Sequence, residues 1–140
     1  MATISNEKLE IDNVDDTTVK VTVSYDLVPN QTEKLAQTVF QEDIVLQGDD
    51  SGTRTDVFAF ANGPIPAQYA VDSSTATVSR SRDHKIPKST LNEDPDFLKD
   101  GSENLDEILA QITISYAANA PGTSAIPPPK TTKTHKGAWV

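Results

Sequence analysis

Residues Thr17 to Val28 read TTVKVTVSYDLV, with Val19, Val21, Val23, Tyr25 and Leu27 at every second position and Lys20, Thr22, Ser24 and Asp26 between them. Successive side chains of a strand point to opposite faces, so this stretch has one face to bury and one to wet. A sheet with one apolar face needs a second layer to cover it. The stretch LEID before it, Leu9 to Asp12, alternates in the same way, and Asn13 to Asp16 between the two runs reads as a hairpin turn.

The same period recurs along the chain. Pro29-Asn30 ends the second strand. Gln37 to Gln47 reads as a strand with Phe40, Ile44 and Leu46 on one face, although Leu35, Ala36, Val39 and Phe40 also fit a short helical stripe. Glu42 falls on that apolar face and therefore needs an edge position or a partner. Thr55 to Ala61 puts Phe58 and Phe60 on one face, and Gly63 to Pro66 breaks the pattern. Ser74 to Ile86 reads as a strand with Ala76 and Val78 inward; its end, Arg80 to Lys85, is polar on both faces and is expected to protrude.

Residues 87–104 are loop-like. Asn104 to Glu107 has the form of a capping box, and Leu105, Ile108, Leu109 and Ile112 follow helical spacing, which predicts a short helix near 104–110. Ile112 to Ala118, ITISYAA, is another strand and loosely echoes VTVSYDL. The remainder, rich in Pro, Thr and Lys, holds Pro127-Pro128-Pro129 and favours an extended polyproline conformation.

The expected fold is all-β: an immunoglobulin-like antiparallel β-sandwich of six to seven strands, with one short helix near 104–110 and an extended C-terminal tail. Residues 1–119 form the sandwich and 120–140 the tail, which ends in a short strand. The expected core is Val19, Val21, Val23, Tyr25, Leu27, Phe40, Ile44, Leu46, Phe58, Phe60, Val78, Ile112, Ile114 and Tyr116. At 140 residues and 36% hydrophobic content the chain suffices for one domain with a modest core.

Composition excludes several functions. Cysteine is absent, which removes disulfides, thiolate metal sites and a thiol nucleophile. No apolar run reaches 18 residues, and the N-terminus lacks the charged and apolar regions of a secretory signal, so cytoplasmic synthesis or incorporation into a particle is expected. The net charge is −9; all 21 acidic residues and nine of the twelve basic ones precede residue 108, leaving residues 1–107 at −12. So acidic a body repels phosphate backbones and anionic lipid, so neither nucleic acid nor a membrane is an expected partner. A protein partner or self-association is.

Candidate sites are few. Asp49, Asp50 and Asp56, in QGDDSGTRTD, are a candidate Ca2+ loop, but Asp and Gly are also what a hairpin turn needs and the EF-hand spacing is missing; the turn is the favoured reading. Asp12, Asp15 and Asp16, or Glu93, Asp94 and Asp96, are the acidic loops that would have to converge on it. His84, among Arg82, Asp83 and Lys85, and His135 in the tail are placed on solvated segments unsuited to a catalytic base, so no enzyme is expected. Asn30-Gln31-Thr32 matches a glycosylation sequon, read as chance. Arg80 and Arg82, with His84 and Lys85, form the cationic cluster of the body and a candidate dock for an acidic partner, against the alternative of a solvated strand tip. The tail ends GAWV, and Trp139 with Val140 is a candidate anchor on a partner's sheet edge or the last strand of its own sheet. The resulting expectation is a non-enzymatic structural or interaction module, a subunit or decoration of a larger assembly, with a calcium-dependent or carbohydrate-binding sandwich as the alternative and no cofactor beyond that Ca2+.

Overall fold

A computed structural model describes residues 2–50, 53–60, 67–91, 106–121, 130–131 and 135–137. In chain order these form β1 (Thr3–Asn13), β2 (Thr18–Val28), α1 (Gln31–Ala36), β3 (Val39–Asp50), β4 (Thr53–Ala59), β5 (Gln68–Ala70), β6 (Val78–Pro87), α2 (Lys88–Leu91), β7 (Asp106–Ala118), β8 (Lys130–Thr131) and β9 (His135–Gly137). Two antiparallel sheets face each other. One has the order β1-β2-β6; the other runs β4-β3-β7-β8, with β5 also on β3 and β9 also on β7.

The alternation in TTVKVTVSYDLV builds the first sheet as expected: Val19, Val21, Val23, Tyr25 and Leu27 are buried, and the residues between them are not. The β1–β2 hairpin closes at Asn13–Asp16, where Val14 N–H donates to the Thr18 carbonyl at 3.0 Å. Asp15 accepts from the Thr17 N–H and hydroxyl at 2.9 and 3.1 Å, and these bonds hold its carboxyl below the usual carboxylate range. This turn therefore uses Asp15 structurally.

The chain then crosses to the second sheet through α1. Asn30 caps this helix: its side chain accepts from Glu33 N–H at 2.8 Å while the Glu33 carboxylate accepts from Asn30 N–H at 2.8 Å. Gln37 ends the helix in the left-handed conformation, φ 54°, and β3 starts two residues later. Of the two readings of residues 33–40, the helix takes the first half and the strand the second. Leu35 is not part of an apolar stripe; it is 69% exposed.

The predicted helix near 104–110 is corrected by the structure: residues 106–110 are the start of β7, paired with β3 from Gly48↔Ile108 to Phe40↔Tyr116. Residues 104 and 105 lie outside the described residues. A second correction concerns Arg80 to Lys85. That segment does not protrude. β6 alternates, turning Val78, Arg80, Arg82, His84 and Ile86 toward the core and Ser79, Ser81, Asp83 and Lys85 outward, and pairs along its length with β2. Ala76 and Ser74 precede the strand.

The core holds every expected residue, with Phe58, Val78 and Tyr116 only partly buried at its margin. It also contains Ile4, Val71, Ile86, Leu91, Ile108 and Ala110, which were not expected. β8 and β9 place parts of the tail on the edge of β7, and both come close to β1, so this segment spans the gap between the sheets on one side.

Candidate functional site

The densest polar constellation among the described residues lies inside the sandwich, centred on the buried Glu42 of β3. Because β3 alternates, Glu42 shares a face with Phe40, Ile44 and Leu46 and points at the first sheet. Tyr25 from β2 donates its hydroxyl to Oε1. Arg80 from β6 grips both carboxylate oxygens, with Nε on Oε1 and Nη2 on Oε2 at 3.3 Å each. Arg82, 3% exposed, donates Nη1 to Oε2 at 3.3 Å. Tyr69 from β5 shares a hydrogen bond with Tyr25 at 3.1 Å, and the Arg80 guanidinium stacks over the Tyr69 ring at 4.5 Å from its centre.

Burial of the phenol, reinforced by the nearby Tyr69 and the Glu42 charge, pushes Tyr25 far above its ordinary pKa. Burial, with the Glu42 charge adding to it, pushes Tyr69 up to about 12. Burial acts to lower the Arg80 guanidinium, but the hydrogen bond and charge of Glu42 outweigh it and raise the group above its ordinary value.

A second buried carboxylate, Glu33, ties three segments together. Its Oε2 accepts from Ala2 N–H at 3.2 Å and from the Tyr116 hydroxyl at 2.8 Å, while Oε1 accepts the capping bond from Asn30. Tyr116 is pushed up to about 12, by burial first and then by the bond and charge of Glu33. Phe40 lies between the two constellations, its ring 5.8 Å from that of Tyr69 and 5.8 Å from that of Tyr116.

The chain has three tyrosines, and all three phenols are displaced upward. A folded-state pKa above the unfolded value near 10 gives stability that is complete below pH 10 and is lost as pH rises through the folded value. Tyrosinate absorbance of the native protein is therefore expected to stay flat through pH 10 and to rise in one step with loss of the β-sheet circular dichroism near pH 12. A smooth titration centred on pH 10 with the fold intact would contradict the buried placement.

The residues singled out from the sequence are placed as follows. Arg80 and Arg82 turn inward onto Glu42, so neither a solvated strand tip nor a surface dock describes them. His84 packs its ring against Phe58 and Phe60, 5.6 and 4.7 Å between centres, rather than on a solvated segment. Asp49 and Asp50 are ladder residues of β3, opposite Arg54 and Thr53 of β4. Asp56 accepts from the Gln47 side chain at 2.8 Å. Among the described residues no three acidic or histidine side chains converge in a group suited to a metal ion. Glu93, Asp94, Asp96, Trp139 and Val140 lie outside the described residues. Glu42 was marked in sequence as needing a partner; its partners were not legible, because they come from strands 17 to 40 residues away.

The arrangement defines what Glu42 can do. A carboxylate has about four lone-pair positions, and four donors point at this one: Tyr25, two from Arg80 and one from Arg82. A general base needs a free lone pair facing a substrate proton. Glu42 instead receives two guanidiniums and a phenol from β6 and β2 of the opposite sheet, which is the work of an inter-sheet lock.

No family model and no curated protein matches the sequence. Among described residues no helix is long and apolar enough to cross a membrane. A protein of Archaeoglobus fulgidus known from its crystal structure is similar in fold, with a TM-score of 0.54 over 96% of this chain and 96% of that one, at 11% identity. At that identity the likeness is one of fold, consistent with the all-β, two-sheet architecture seen here.

Proposed function

We propose that the protein is a non-enzymatic β-sandwich module of immunoglobulin-like type that works through its surfaces, as a subunit or decoration of a larger assembly such as a virion, a tail or a secreted apparatus. The observation that carries this reading is the saturation of Glu42, whose carboxylate is committed to donors inside the fold. Glu33 is engaged in the same manner. The strand order, β1-β2-β6 facing β4-β3-β7-β8, supports the immunoglobulin-like part of the reading.

The test is the mass of the full chain by light scattering over a wide concentration range, run beside a panel of hydrolase substrates. A mass rising above the 15.1 kDa monomer, with no turnover, is expected. A monomer at every concentration, with turnover that Glu42→Gln abolishes, would replace this reading with an enzymatic one.

A further inference from the structure

A sheet edge presents unpaired N–H and C=O groups, and proteins block such edges with bulges, inward-pointing charges or a covering segment. Among the described residues, β1, β6 and β4 each carry such a device of their own at a sheet edge, beside the three-residue β5. β1 has a register break between Ser5 and Lys8, with Asn6 at φ 55°. β6 points Arg80 and Arg82 inward. β4 has a register break at the position opposite Leu46 and Gln47.

The edge of β7 differs. β7 pairs with β3 without a break from Ile108 to Tyr116, and its other side is covered by the two short pieces of the tail. β8 pairs at Gln111↔Thr131 and Ile112↔Lys130; β9 pairs at Asp106↔Gly137, Glu107↔Lys136 and Ile108↔His135. The two pieces keep one antiparallel register apart from a one-residue offset. Five ladder positions hold this segment, against ten for β2 on β6. The charge pattern of the sequence suits the pairing: residues 108–140 carry Lys130, Lys133 and Lys136 and no acid, residues 1–107 carry −12, and the ladder sets position 136 opposite Glu107. The connection from β7 to β8, residues 119–129, reaches about 35 Å when extended, and the way back along β7 from Ala118 to Ile112, opposite Lys130, is roughly 20 Å.

We propose that Lys130–Thr131 and His135–Gly137 form an exchangeable edge strand, and that the β7 edge of one copy accepts the tail of a second copy. This rests on the interaction-module reading and names its partner: another molecule of the same chain. The ladder register and the residues it opposes are the same within and between copies, so exchange changes which body the tail closes, not which strand it pairs with. Concentration then decides between closed monomer and exchanged oligomer.

The chain has no cysteine, so one engineered pair reads the exchange. Gln111→Cys with Thr131→Cys joins directly opposed ladder positions. Two copies with different tags are mixed, incubated and oxidised. The expected result is a disulfide-linked species containing both tags, its share growing with concentration. Disulfides confined within single chains at every concentration, or no disulfide at all, would overturn the exchange. If the mass still rises in the light-scattering test while every disulfide is internal, exchange fails and the interaction module stands; a monomer with internal disulfides removes both. Deleting residues 122–129 from the otherwise unchanged chain gives a second test that needs no cysteine. The three residues left between Ala118 and Lys130 reach about 14 Å at most, short of the roughly 20 Å back to Ile112, so return to the same β7 is blocked, the mass is expected to double, and an unchanged monomer with the tail still paired would overturn the proposal.

Discussion

Replacing Glu42 with alanine is expected to destabilise the protein by about 3–5 kcal/mol, the range for breaking a buried ion pair by removing one partner. The side chain is fully buried and receives Tyr25, Arg80 and Arg82. Its removal leaves the buried Arg82 guanidinium without this counter-charge and the Tyr25 hydroxyl without its charged acceptor. Against a total stability of roughly 5–15 kcal/mol for a single domain, this is a large fraction. Chemical denaturation followed by circular dichroism measures it. Glu42→Gln should lose less, because it keeps the shape and one acceptor. A double replacement, Glu42→Leu with Arg82→Met, should recover part of the loss, since an apolar substitute for a buried pair is often neutral or better. A loss below about 1 kcal/mol for Glu42→Ala would mean that the carboxylate is not the centre of the lock.

Phe40→Ala should be as severe, about 3–5 kcal/mol, from lost burial and the cavity left behind. Phe40 is fully buried, and its ring contacts Tyr69 on one side and Tyr116 on the other. It therefore holds in place a phenol from each polar constellation. Phe40→Leu, which keeps most of the volume, should cost about 1–2 kcal/mol. The alanine variant should also move the tyrosinate step to lower pH, because water admitted beside Tyr69 and Tyr116 weakens the burial that raises them. Destabilisation without that movement would confine the role of Phe40 to packing.

How much of this could be read from the sequence depends on where each partner lies. Alternation in β2 is local, so its buried set was legible residue by residue. β6 is legible as a strand but not in its polar half, because nothing local separates Arg80 and Arg82 from solvated residues; their partner is Glu42, on the other sheet. The most instructive pair is Asn30…Glu33 and Asn104…Glu107. Both have Asn followed three residues later by Glu. The first caps α1. The second was expected to start a helix, yet Glu107 is a strand residue of β7. Nine consecutive residues from Ile108 to Tyr116 find partners on β3, and long-range pairing outweighs a local capping preference of about 1 kcal/mol. Glu33 is a further case: its capping bond is local, but its bonds to Ala2 and Tyr116 join residues 31 and 83 positions away.

The Glu42 constellation also bears on alternatives to the native fold. A slip of β3 by two residues would keep its apolar face inward but carry Glu42 away and set Phe40 or Ile44 opposite Arg80 and Arg82. A sandwich docked in the wrong register would thus contain uncompensated buried charge, whereas a purely apolar interior would tolerate the slip. Polar groups in the middle of this core select among competing arrangements: they make the wrong structures worse rather than the right one much better.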